Sequence, residues 1–241
     1  MRLYGKRPVL ERLRAAPKTI RTLMIQQDTG AAEIVKAAQA AGIPFLSKSK
    51  QEFAQIAPDA HTQGVLAEVG EFRYAEIEDL LRRPEPRPTL ILLDRVTDPQ
   101  NLGAILRTLA CFGGFAVVVP KHDSAEVTET VLRVACGGEN YVPVARVTNL
   151  GTASEKAKKA GYWIAGTAPT GGTPLHSADW PVPLAVVLGS EGSGIRPGLE
   201  KQMELSLTLP MPGAALSFNV ATAAALIAYE VTRRRLQGKA K

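Results

Sequence analysis

The chain has 241 residues, 45% hydrophobic and 22% charged, the composition of a soluble globular protein with enough apolar material for one large domain or two small ones. No run approaches the roughly 20 apolar residues of a membrane span, the opening MRLYGKRPVLERLR lacks the apolar block of a signal peptide, and the three scattered histidines and two cysteines do not form a zinc motif. A cytoplasmic protein without membrane segment or metal is expected. The formal charge is +6, concentrated in residues 1–21, where Arg2, Lys6, Arg7, Arg12, Arg14, Lys18 and Arg21 face only Glu11. A second basic cluster, RRRLQGKAK, closes the chain. Such clusters suit phosphates and nucleic acid, although on charge alone they fit a merely solvated surface equally well.

In chain order the first elements are short. A helix is predicted near Val9–Ala15, a strand over TIRTLMIQ, a helix over AAEIVKAAQAAG closed by Gly42, the segment IPFL, a short helix near KQEFAQIA, and a strand over GVLAEV. These predict a small α/β domain over residues 1–75. The run RRPEPRPTL disfavours both helix and central strand through its three prolines, and a linker is assigned to residues 76–89. From residue 90 to 241 the apolar runs lengthen. TLILLD, GFAVVVP, YWIAGTA, LAVVLGS and LSLTLP are continuous and rich in β-branched residues and leucine, as strands of a parallel sheet buried on both faces must be. Ligands of such sheets gather at the carboxyl ends of strands, so the loops after Asp94, Gly189 and Pro210 are the places to look.

Three of these loops carry unusual residues. In DRVTDPQNLGAILRTLACFGG, Asp98 and Pro99 form a cap and first-turn pair, and Leu102, Ile105, Leu106 and Leu109 form the buried stripe of a helix. Arg107 lies off that stripe, and the mid-helix Gly103 implies a close approach to the backbone, by a ligand or by another helix. Cys111 and Cys136, both in apolar helix-like segments, are expected to be reduced core thiols. The strand LAVVLG opens into SEGSGIRP, whose glycines expose backbone to a ligand. This loop matches neither the mononucleotide P-loop nor the dinucleotide fingerprint, and Glu191 within it disfavours a phosphate. In LPMPGAALSFNVATAAAL, Ser217 and Asn219 both precede a helix that needs only one capping side chain.

Taken together, NLGAILRT, LGSEGSGI and LPMPGAALSFNVATAAAL resemble, in order and spacing, the motifs of the SpoU (TrmH-like) family of RNA ribose 2′-O-methyltransferases of the SPOUT superfamily. LYGKRPVLERL is similar to the opening of the small RNA-binding domain of one subgroup, which includes enzymes that methylate a guanosine in the peptidyl-transferase loop of 23S ribosomal RNA. The resemblance implies an L30e-like N-terminal domain, a C-terminal parallel-sheet domain with a deep trefoil knot, S-adenosylmethionine as methyl donor, a homodimer, and ribosomal RNA as substrate, free or in an assembly intermediate. It also implies roles. Arg107 is the base or the cation that stabilises the reacting oxygen, positioned with Asn101, Glu191, Ser217 and Asn219. Cofactor contacts fall on Thr167, Gly189, Leu209, Met211 and Phe218, the last a departure from the usual leucine. RNA docking falls on Arg2, Lys6, Arg7, Arg12 and Arg14, with Arg7 where the family often has histidine. The alternatives are a transfer-RNA methyltransferase, a noncatalytic RNA-binding or ribosome-assembly protein, and, disfavoured by the absent fingerprint, a dinucleotide-dependent oxidoreductase.

Overall fold

The computed structural model describes residues 1–58, 61–190, 192–214 and 216–238. The N-terminal unit comprises β1 (Arg2–Tyr4), α1 (Lys6–Ala15), β2 (Ile20–Gln26), α2 (Ala32–Ala40), β3 (Leu46–Lys48), α3 (Lys50–Ile56) and β4 (Val65–Val69). The strands form one sheet in the order β1-β4-β2-β3, with β4 antiparallel to both neighbours and β3 parallel to β2. Local sequence accounts for several boundaries. Ser49 and Glu52 form a reciprocal capping box at the start of α3, and Ile20, Leu23 and Ile25 are the buried positions of β2.

The segment assigned to the linker begins as structure. In α4 (Ile77–Leu81), Ile77, Leu80 and Leu81 form an i, i+3, i+4 stripe buried against the second sheet. Only the proline-rich stretch that follows lacks helix and strand.

The second unit runs β5 (Thr89–Asp94), α5 (Pro99–Phe112), β6 (Phe115–Pro120), α6 (Glu129–Ala135), β7 (Val144–Val147), α7 (Leu150–Lys159), β8 (Trp163–Thr167), β9 (Thr173–Pro174), β10 (Leu184–Gly189), α8 (Pro197–Glu200), β11 (Leu205–Thr208) and α9 (Val220–Leu236). Its seven strands are all parallel, in the order β7-β6-β5-β10-β8-β11-β9. Every residue of β5 and β6 is buried, which explains why β6 and the centre of β5 read as apolar runs. The chain builds outward from β5 to β7, then returns to fill the other side, so that β5 and β10 meet at a topological switch point.

The helix α5 starts at the Asp98 cap, whose Oδ1 accepts from Gln100 N at 2.8 Å, and buries Leu102, Ile105, Leu106 and Leu109. Gly103 answers to packing. A Cβ there would lie 2.7 Å from Val134 Cβ and 2.9 Å from the Val131 carbonyl oxygen, so α6 is what approaches the backbone. The expectation of two core thiols is corrected. Cys111 is exposed and Cys136 half-buried, both free, because Cys111 falls outside the buried stripe of α5 and Cys136 ends α6 with a positive φ of 52°.

The two units share a core, since Leu3, Val9 and Leu10 belong to the same apolar cluster as Leu102, Leu106 and Val131. Polar contacts cross the junction as well. Arg12 Nη2 donates to Glu139 Oε1 at 3.1 Å, Tyr141 Oη donates to Glu11 Oε2 at 2.7 Å, and Val127 N donates to Tyr74 Oη at 2.9 Å. The C-terminal arginines described by the structure are also used internally. Arg233 and Arg234 bind Glu230 and hold its carboxyl down at about 2. Arg234 lies 3.7 Å over the Trp180 ring, and Arg235 donates to Thr89 Oγ1 at 2.7 Å.

Candidate cofactor cleft and active-site residues

At the switch point β5 ends in Asp94, fully buried. A buried carboxylate needs partners, and here Arg196 N donates to Oδ2 at 2.8 Å while Arg196 Nε donates to Oδ1 at 2.7 Å. This pair ties the loop after β10 to the end of β5. The loop folds tightly on itself. A Cβ on Gly189 would sit 2.2 Å from the Gly194 carbonyl carbon, so only glycine fits, and Gly194 N donates to Ser190 O at 3.0 Å. Neither Asp94 nor Arg196 was singled out from sequence as a site residue. The available signal was an acid ending an otherwise apolar strand.

The third loop brings the chain from β11 to α9. Asn219 is the residue that caps the helix, its Oδ1 accepting from Ala221 N at 2.8 Å, while its Nδ2 donates to Asn101 Oδ1 at 3.0 Å. One side chain therefore caps α9 and fastens it to the start of α5. Ser217 is left exposed beside the cleft.

That cleft, of about 250 Å³, is lined by Thr167, Ala168, Pro169, Leu188, Gly189, Ser190, Leu209, Met211, Ser217, Phe218, Val220 and Ala223, among others. All five residues assigned to the cofactor from sequence lie on its walls. No charged side chain lines it among the described residues, and its surface is apolar side chain interleaved with loop backbone. Such walls suit a flat, neutral heteroaromatic ring held through backbone edges, and they fit a nucleoside better than a polyphosphate. Glu191 lies outside the described residues.

Arg107 is elsewhere. It sits about 9 Å further along α5 than Asn101, at 1.5 Å per residue, on another side of the helix. It is exposed, its Nη1 donates to Cys136 Sγ at 3.7 Å, and it lines a separate cleft with Arg7, Glu11, Cys111 and Tyr141. Within one chain the structure thus joins Asn101 to Asn219 and places Ser217 on the cleft lined by Thr167 and Phe218, while Arg107 stands apart.

The basic N-terminus is largely neutralised. Arg2 pairs with Glu68 at 3.6 Å, Arg7 with Glu11 at 3.1 Å, and Arg14 with Glu11 and Glu33 at 3.1 and 2.8 Å. Lys6 Nζ donates to Thr29 O at 2.6 Å. Arg12 is a correction to the docking set, because it is buried in the ion pair with Glu139 and does not face solvent. Burial pushes the Glu139 carboxyl above its ordinary value, against the pull of Arg12.

Comparison with known proteins places this geometry in context. The model of the SpoU rRNA Methylase family matches residues 88–229, and that of RNA 2′-O ribose methyltransferase substrate binding matches residues 2–75. The chain is 37% identical over 240 residues to the 23S rRNA (guanosine-2′-O-)-methyltransferase RlmB of Pseudomonas aeruginosa, covering 97% of this chain and 96% of the relative. It is 37% identical over 239 residues to an uncharacterized tRNA/rRNA methyltransferase of Synechocystis sp., covering 97% of this chain but 62% of that longer relative. The fold is similar to that of the SpoU methyltransferase AviRb from Streptomyces viridochromogenes, solved in complex with AdoMet. The TM-score is 0.81 at 23% identity, over 99% of this chain and 91% of the other.

Proposed function

This chain belongs to the SpoU rRNA methylase family, and from that premise we propose that it transfers a methyl group from S-adenosylmethionine to the ribose 2′-hydroxyl of a guanosine in 23S ribosomal RNA, in the cytoplasm. The observation that carries the reading is the cleft at the ends of β8, β10 and β11, walled by Thr167, Gly189, Leu209, Met211 and Phe218 and without a charged side chain among the described residues. Its chemistry fits an adenine ring and, among the described residues, offers no cation for a phosphate. When bound, S-adenosylmethionine supplies a methyl group carried on a sulfonium sulfur. Ser217 borders that cleft, where it orients the incoming ribose, and Asn219 keeps the start of α9 against Asn101.

Arg107 supplies fixed positive charge. A guanidinium is a permanent cation, and beside the 2′-oxygen it stabilises the negative charge that grows there as the hydroxyl proton leaves to water. Its separation from the cleft within one chain supports a homodimer in which the partner copy brings its own arginine to this site. Apolar residues on the exposed side support the same assembly: Leu226 and Tyr229 on α9, and Leu216 just before it. The deep trefoil knot of the family is part of this proposal, supported by a cleft whose walls come from the loops after β8, β10 and β11.

The test is incubation of the full chain with labelled S-adenosylmethionine and unmodified 23S RNA or transfer RNA, with mass-spectrometric mapping of methylated riboses. A 2′-O-methylguanosine in 23S RNA is the expected product. Transfer to transfer RNA alone would replace the substrate, and absence of both transfer and cofactor binding would overturn the reading.

A further inference from the structure

The N-terminal cations left without partners are not those nearest the start of the chain. Lys18, Arg21, Arg73 and Arg83 are exposed, and none makes an ion pair or hydrogen bond among the described residues. All four line one cleft of about 1140 Å³, between the N-terminal unit and the β7 edge of the seven-stranded sheet. Of the two carboxylates on its walls among the described residues, Glu139 is bound by Arg12 and Glu71 makes no ion pair with any of them.

Tyr141 lines this cleft and also the smaller cleft that holds Arg107. It is 51% exposed, unusual for a large aromatic side chain, yet its hydroxyl is fastened to Glu11 at 2.7 Å. A ring fixed at its far end loses little freedom when something stacks on it.

Unpaired cations interleaved with an exposed aromatic ring are the features that hold single-stranded nucleic acid, charge meeting phosphates and ring meeting a base. We propose that this inter-unit cleft is a track for a single-stranded RNA segment, that Lys18, Arg21, Arg73 and Arg83 bind its phosphates, and that Tyr141 stacks on an unpaired base as the strand passes toward Arg107. The inference rests on the proposed RNA substrate but assigns its path to a surface shared by both units. A duplex does not satisfy the site, because its bases are already stacked.

The experiment is fluorescence anisotropy with the full chain and a short fluorescein-labelled single-stranded RNA, across a potassium chloride series. The same RNA as a duplex and a glutamate-rich peptide serve as competitors. The variant Arg73→Gln/Arg83→Gln is expected to flatten the dependence of log affinity on log salt by about 1.4, two single-strand phosphate contacts at about 0.7 each. Tyr141→Ala is expected to weaken binding about tenfold or more, and Tyr141→Phe to keep it, since stacking needs only the ring. Cofactor binding by calorimetry should be unchanged in all of them. An unchanged salt slope together with unchanged affinity of Tyr141→Ala overturns the inference. So does a Phe variant as weak as Ala, which would trace the effect to the Glu11 contact, or equal competition by duplex or peptide. Arg73 and Arg83 are exposed and unpartnered, so their variant keeps the test decisive if Tyr141→Ala disturbs folding. A wild-type chain that methylates RNA while these variants bind normally sinks the track alone, whereas a wild type that methylates nothing sinks the proposed function while leaving RNA binding measurable.

Discussion

Replacing Arg12 by leucine should destabilise the protein by an amount that depends on pH. The guanidinium makes one contact across the junction, with Glu139 at 3.1 Å, and one within its own unit, with Thr19 Oγ1 at 3.3 Å, and the Glu139 side chain is wholly buried. Without Arg12 the carboxylate keeps, among the described residues, one side-chain donor, Asn140 Nδ2 at 3.1 Å to Oε1, and its Oε2 has no hydrogen-bond partner among them. Breaking one partner of a buried pair costs about 3–5 kcal/mol. In a chain of this size that is a loss in melting temperature on the order of 10 °C.

The sign with pH follows from Glu139. Burial already raises its folded value above the ordinary 4.5, and losing the cation raises it further. A group raised in the folded state contributes stability that is full below its unfolded value and is lost as pH climbs through its folded value. The deficit of Arg12→Leu relative to wild type should therefore be small at about pH 4 and full at about pH 7.5. Differential scanning fluorimetry at the two pH values measures it. Equal losses at both would refute the reasoning, as would a double variant Arg12→Leu/Glu139→Leu no more stable than the single one at neutral pH, since removing the orphaned carboxylate should restore most of the loss.

Four further outcomes are expected. Asn219→Ala should cost about 1 kcal/mol of stability through the lost cap but reduce methyl transfer far more, because the Asn101 contact goes with it; parallel losses in melting temperature and rate would leave only the cap. Arg107→Lys should lower the methyl-transfer rate with cofactor affinity unchanged by calorimetry, and near-normal turnover would remove the guanidinium from the chemistry. Gly103→Ala should destabilise by about 1–3 kcal/mol despite the roughly 1 kcal/mol gain in helix propensity, because the Cβ meets Val134 and the Val131 carbonyl; a higher melting temperature would show that α6 yields easily. Asp94→Ala should release Arg196 and weaken cofactor binding while RNA affinity is kept, and unchanged calorimetry would show that the loop holds its shape alone.

The second unit was legible where burial is uniform. β5, β6 and β10 lie inside the sheet, so their sequences are apolar apart from Thr89 and Asp94 at the two ends of β5, and the Asp98–Pro99 start of α5 is written locally. The features that escaped depend on residues far apart in the chain. Arg12 looks like any surface arginine of a basic terminus until Glu139, 127 residues away, is packed beside it. Counting charges over residues 1–21 therefore overstated the free positive surface, which falls instead on Lys18 and Arg21 with Arg73 and Arg83. Arg233, Arg234 and Arg235 are likewise bound to Glu230, Trp180 and Thr89 rather than presented to solvent. Ser217 and Asn219 could be seen as one polar residue too many for a cap, but not that Asn219 would be the cap and Asn101 its second partner. The three motifs are each local, and so the separation of Arg107 from the cleft of Ser217 had no trace in their spacing.

The strand order also sets a sequence of events at synthesis. The N-terminal sheet is complete once Val69 has emerged, and its parts lie close together along the chain, so this unit can fold early. One edge of β5 must stay unpaired until Leu184–Gly189 has been made, and the cleft needs residues as late as Ala223. A nascent chain therefore holds every strand of its N-terminal sheet long before it has a place for a methyl donor, and a ribosome stalled before α9 carries a chain whose cleft still lacks one wall.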